Sequence, residues 1–127
     1  MESKDKLTIW GDGSPVRDFI NSHDVARAMI FCVENEINQP VNVGSGKGTS
    51  IKDLAEMIVS FLPHKLKIEW DTTKPNGDAY RVADISRLKS YGFELSKTLD
   101  VSLSETVKWY LENKEEFAKR YDQFLQK

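Results

Sequence analysis

Residues Leu7 to Ile20 read LTIWGDGSPVRDFI, two short apolar runs around a polar turn. Leu7–Trp10 and Val16–Ile20 flank Gly-Asp-Gly-Ser-Pro, the residues that tight turns demand. The pattern predicts a strand, a turn and a second strand or extended segment. Arg17 follows the turn at once. A guanidinium is planar, always charged and suited to gripping phosphate through two hydrogen bonds.

Beyond this stretch, Ser22 is placed to cap a helix, and Asp24 suits the positive end of its dipole. Val25, Met29, Cys32 and Val33 fall at helical spacing, which predicts one buried stripe. That helix should fade near Asn38, before Pro40. Val41-Asn42-Val43 reads as a short buried strand, and Gly44 to Gly48 as a loop. Ser50, with Asp53 three positions on, caps a second helix whose inner face is Ile51, Leu54, Ala55, Ile58 and Leu62; Pro63 ends it. Leu66, Ile68 and Trp70 alternate with Lys67 and Glu69, a strand with one wet face. Asp71 to Asp78 is a polar loop, and Tyr80 to Ala83 is extended. Asp84 caps a short helix that turns Ile85 and Leu88 inward and stops at Gly92. Ser102 and Glu105 form a capping box for a closing helix, with Leu103, Val107, Tyr110, Leu111, Phe117 and Tyr121 along its apolar side. The fold class is therefore mixed α/β: one small domain, residues 1–127, of about four helices on a few short strands.

Composition bounds the partners. Of 127 residues, 39% are hydrophobic and 30% charged, which favours a globular rather than a disordered chain. A net charge of −2 argues against nucleic acid and anionic membranes, which attract basic surfaces. One cysteine, Cys32, permits no internal disulfide; this fits the cytoplasm, and its helical spacing suggests a small core residue. No run approaches the roughly 20 apolar residues of a membrane span, and the charged start has no signal-peptide core. His23 and His64 stand alone, so no metal site is expected.

Three patterns imitate chemistry without its requirements. Gly44–Ser50 lacks the first glycine and the final Ser or Thr of a P-loop, with Val41 and Gly48 in those places. Gly11-Asp12-Gly13 lacks the third glycine of a dinucleotide fingerprint and opens no helix. Tyr110 and Lys114 have the Tyr-x-x-x-Lys spacing of a catalytic pair but lie on the closing helix, with Tyr110 expected on its apolar stripe. No catalytic residue is assigned.

The order of motifs is similar to that of the nucleotide-sugar epimerase/dehydratase family, the extended short-chain dehydrogenases. Gly11-Asp12-Gly13 and Arg17-Asp18-Phe19 are followed by Asp24-Val25-Ala26 and Asn42-Val43-Gly44-Ser45-Gly46. Then come Asp71, Lys74-Pro75 and Gly77, then Arg81, Asp84, Arg87-Leu88 and Gly92, and last Thr106 to Tyr110. The spacing most resembles the GDP-fucose synthase branch, across nearly the whole chain. The resemblance implies the carboxy-terminal, substrate-binding portion of such an enzyme. It implies a nucleoside diphosphate sugar as partner, with Arg17 on the diphosphate. Lys74 or Arg81 would provide a second basic contact there, Asp78 an acid within reach of the ribose, and Trp10 a ring for the base. NAD(P) would be bound, and catalysis supplied, by a dinucleotide-binding half outside this sequence. Relatives usually have His or Tyr where Asn21 stands and Val where Ser22 stands, which implies altered packing on the cofactor side. With that half absent, Val25, Met29 and the Val41–Val43 strand lose their cover, and self-association is expected. The alternative is a stand-alone, non-catalytic module that binds a sugar nucleotide or another protein.

Overall fold

The computed structural model describes residues 5–118 of the chain. In order come β1 (Lys6–Trp10), β2 (Val16–Asp18), α1 (Ser22–Glu34), β3 (Gly48–Ser50) and α2 (Ile51–Ser60). They are followed by β4 (Lys67–Asp71), β5 (Tyr80–Arg81), α3 (Ser86–Ser90) and α4 (Leu99–Ala118). Helices and short strands mix as the patterns suggest. Of the expected closing-helix residues, Tyr121 lies outside the described residues, and Phe117 is described in its backbone alone.

The strands make two small sheets. β1 and β4 pair in parallel, Leu7 opposite Ile68 and Ile9 opposite Trp70. A parallel pair needs a long crossover, and everything from β2 to α2 lies within it. In the second sheet β2 is central, antiparallel to β3 and parallel to β5. The turn after β1 passes the chain from one sheet to the other. Gly13 holds φ +80° there, and a β-carbon on it would lie 2.6 Å from the Trp70 indole. Glycine alone meets both demands.

The core gathers where α1 meets α3 and the segment after it. Ala28, Leu88 and Phe93 are buried together, with Phe31, Cys32, Val41, Val43 and Leu95 packed on them. The Phe31 and Phe93 rings meet at 5.4 Å between centroids, tilted by 60°. A second packing contact joins α2 to α4.

Several expectations are corrected. Asn21, not Ser22, caps α1: its side chain accepts from the His23 amide at 2.9 Å. The helix ends at Glu34, short of Asn38. Asp24 and Ala28 are buried and Phe31 and Cys32 pack on the core half-buried, whereas Met29 is 63% exposed and Val33 78% exposed. The helix is apolar around most of its circumference, so periodicity alone left its inward direction open. Val41–Val43 is not a strand. No described segment pairs with it, and β propensity without a ladder partner leaves the backbone unpaired. Side chains hold it instead: Asn42 Nδ2 donates to Asp84 O, and Arg87 Nη1 donates to Pro40 O. The strand in this region is β3. Finally, α4 begins at Leu99, so Ser102 sits in its first turn and donates Oγ to Thr98 O at 2.8 Å. Glu105 pairs with Lys97 rather than closing a capping box.

Asp24 carries an unforeseen load. Its carboxylate is 1% exposed and accepts from the Ser96 amide, from Ser96 Oγ at 2.7 Å and from Arg27 Nη1 at 2.5 Å. It ties the start of α1 to the segment leading into α4. Removing it deletes three hydrogen bonds to a charged acceptor and unties these two segments, although Arg27 is half exposed. Asp24→Ala is expected to cost about 3 kcal/mol in urea unfolding, against a few tenths for Ser22→Ala. A loss below about 1 kcal/mol for Asp24→Ala would contradict this account.

Candidate functional site

The polar loop 72–79 lies against the turn that follows β1. Gly11 N donates to Asp71 O at 2.9 Å, Asp12 N to the Asn76 side chain at 2.8 Å, and Val16 N to Ala79 O at 2.9 Å. Gly11 holds φ +84°, and a β-carbon there would lie 2.2 Å from Asn76 Oδ1. Asp12 in turn accepts from Ser14 N at 2.8 Å, an Asx turn that shapes the Gly-Asp-Gly-Ser-Pro stretch. Hydrogen bonds to Ser14 hold the Asp12 carboxyl below its ordinary value.

These stitches bring the expected residues together as two groups. In the first, Arg17 on β2 stands in register with Arg81 on β5 and with Thr49 on β3. Registered residues share a face of the sheet. Arg17 is half-buried and steadied by donating Nη1 to its neighbour Val16 O at 2.7 Å. Its Nη2 reaches within 3.7 Å of where a Gly77 β-carbon would be. Arg81 forms an ion pair with Asp78. In the second group, Lys74 Nζ lies 5.5 Å from the centroid of the Trp10 ring, and Trp10 is 68% exposed. An ammonium over an indole is a favourable cation–π contact.

Asp18 points to the opposite face from Arg17. Its Oδ1 accepts from Ser45 N at 2.7 Å and Ser45 Oγ at 2.5 Å. Its Oδ2 accepts from Gly46 N at 3.0 Å and Ala83 N at 3.3 Å. A β-carbon on Gly44 would lie 2.6 Å from Oδ2. The sequence shows Asp18 only as part of Arg17-Asp18-Phe19, and this role is not legible there. The signal was Gly44-Ser45-Gly46, a turn whose amides need an acceptor. Because the Ser45 and Gly46 amides donate to Asp18, this turn does not fit the pyrophosphate cradle of a dinucleotide site. Tyr110, expected on a buried stripe, is instead 54% exposed. Val107 and Leu111, three residues before it and one after, take the inward direction.

A separate cleft of about 480 Å³ opens between the starts of α1 and α4, lined by Asn21, Ser45, Lys47, Thr49 and residues 95–100 among others. None of the five expected site residues lines it. Among the described residues no helix is long and apolar enough to cross a membrane.

The first 44 residues match the NAD dependent epimerase/dehydratase family. GDP-L-fucose synthase 1 of Arabidopsis thaliana is 36% identical over 114 residues, 89% of this chain and 35% of that protein. GDP-L-fucose synthase of Escherichia coli is 32% identical over 121 residues, 87% of this chain and 38% of that protein. The crystal structure of dTDP-glucose 4,6-dehydratase from Bacillus anthracis in complex with NAD superposes with a TM-score of 0.77 at 27% identity. That superposition covers 87% of this chain and 36% of the dehydratase. Over most of its length the chain is similar to members of the NAD-dependent epimerase/dehydratase family, the extended short-chain dehydrogenases, and matches a segment of that fold. Its likeness is to the GDP-L-fucose synthase branch. It spans about a third of the length of these relatives.

The carboxylates that hold the site together set its response to pH. Partial burial opposes ionisation of Asp18, but the Ser45 hydroxyl and the Ser45, Gly46 and Ala83 amides outweigh it and lower the pKa below 3.8. Asp24 behaves alike, with burial opposed by Ser96 and Arg27. A carboxyl more acidic when folded stabilises the fold above its unfolded pKa, and that stability is lost as pH falls through the folded value. Urea midpoints are therefore expected to hold from neutrality to about pH 5 and to fall below about pH 4. Asp18→Asn should start lower and fall less steeply. An equal acid slope in the variant would remove Asp18 from this account.

Proposed function

We propose that this chain is the sugar-nucleotide-binding part of an NAD(P)-dependent nucleoside-diphosphate-sugar epimerase, dehydratase or reductase. The register of Arg17 with Arg81 is the observation that carries this reading. Two guanidiniums on adjacent strands offer two phosphoryl groups a matched pair of donors, and a sheet orders one of them at little entropic cost. Lys74 adds a third cation beside the same loop, and the exposed Trp10 ring offers a stacking surface to the base. Asp78, in the same loop and paired with Arg81, is the acid assigned to the ribose once a ligand phosphate has taken its place on Arg81. The five residues include no nucleophile–base pair, so the chemistry at the sugar belongs to residues of a longer protein. NAD(P) is assigned to that portion too, in keeping with the engagement of the Ser45 and Gly46 amides by Asp18.

Calorimetric titration of GDP- and UDP-sugars tests the reading. Arg17→Ala should weaken binding by about 1.5–3 kcal/mol, the worth of a charge-assisted contact. NADH and NADPH should show no micromolar binding to the chain alone. Equal sugar-nucleotide affinity in wild type and variant would overturn the assignment of Arg17.

We further propose that the chain by itself associates with a second copy through α1. Met29, Ile30 and Val33 are all more than half exposed on that helix. Such a patch on a chain that spans a third of its relatives' length favours an apolar cover. Sedimentation at rising concentration should show dimers or larger species, and Met29→Lys with Val33→Lys should restore a monomer. A wild type monomeric at high concentration would contradict this.

A further inference from the structure

We infer that Asp78 is the built-in counter-ion of the anion site, occupying Arg81 until a ligand phosphate displaces it. This rests on the diphosphate reading given above and adds a competitor to it. Arg17 and Arg81 are registered on adjacent parallel strands, and strands pair at about 4.8 Å. Two like charges on one face at that spacing are unfavourable unless an anion lies between or beside them. Among the described residues Arg17 makes no ion pair; its Nη1 goes to a backbone carbonyl. The compensating charge is Asp78, paired with Arg81 Nη2. Gly77, at φ +74°, turns the chain beside Arg17 Nη2 immediately before Asp78. One carboxylate is thus delivered to the place where the two guanidiniums would share a phosphate.

A carboxylate oxygen and a phosphoryl oxygen make the same kind of bond to a guanidinium. They compete for one donor set. The pair is three-quarters exposed at Arg81 and more than half exposed at Asp78, so it is weak enough to exchange. A singly charged anion gains little by replacing Asp78. A diphosphate brings more charge and reaches Arg17 as well. Asp78 thereby favours diphosphates over smaller anions at the cost of some affinity.

Calorimetry of the full chain with GDP, and with inorganic phosphate as the smaller anion, tests this. Asp78→Asn should tighten GDP binding by about two- to fivefold, the factor an exposed pair imposes by competition. It should tighten phosphate by a larger factor, which narrows the preference for GDP. Glu69→Gln removes the same charge from β4, where Glu69 pairs with Lys6 and Lys67. It should leave both affinities unchanged. Unchanged or weaker GDP binding in Asp78→Asn would overturn the counter-ion role, as would an equal gain in Glu69→Gln. If Arg17→Ala binds GDP like wild type, or if no variant binds GDP, the diphosphate reading fails and this inference with it. Loss in Arg17→Ala with no gain in Asp78→Asn would leave that reading standing and remove only the inference.

Discussion

The Asp18 carboxylate gathers three separate parts of the chain. It lies on central strand β2 and takes hydrogen bonds from the Gly44–Gly46 turn and from Ala83, just past β5. An ionised carboxylate can accept several donors, and bonds to a charged acceptor are among the stronger ones in a fold. Strands of two and three residues have few ladder bonds of their own. A fixed acceptor beside them supplies the order that ladder length does not. The alternation of a strand then turns the preceding residue, Arg17, to the opposite face. The same short segment is thus anchored on one side and offers its charge on the other.

The register of Arg17 with Arg81 depends on that anchor in a second way. Arg81 belongs to a strand of two residues, whose position is set by neighbours rather than by its own pairing. Ala79 O on one side receives Val16 N, and Ala83 N on the other donates to Asp18. These two bonds bracket Arg81 and hold it level with Arg17. The Asn76 contact to Asp12 keeps the intervening loop against the turn, with Gly77 near Arg17 Nη2 and Asp78 paired with Arg81. Positive charge gathers here through backbone geometry, in a protein whose net charge is −2.

Asp24 acts at the start of α1 as Asp18 acts on β2. It accepts from Ser96 and Arg27 and brings the start of α1 to the segment before α4. Both carboxylates are worth their desolvation because donors distant in sequence meet them. Along α1, the face that bears Ala28 is covered by Leu88 and Phe93, while Met29 and Val33 are left bare.

Local chemistry in the sequence determined the turn at Gly11–Pro15, the cap at Ser50 with Asp53, the alternation through Ile68 and Trp70, and the stop at Gly92. Each depends on residues within a few positions of one another: left-handed glycines, a hydroxyl beside free amides, a two-residue repeat. The order of short motifs also carried the family, because their spacing along the chain is itself sequence. Tertiary structure decided the rest. Which arc of α1 faces inward depended on Leu88 and Phe93, some sixty residues away. Whether Val41–Val43 became a strand depended on a pairing partner, which no described segment provides. Asn21 rather than Ser22 capped α1 because the chain leaving β2 set where the first free amide lay. The union of Arg17 with Arg81, and of Asp18 with Ser45 and Ala83, required strands from distant parts of the chain to lie side by side. A contact between residues so far apart has no local pattern, because only the folded backbone makes them neighbours.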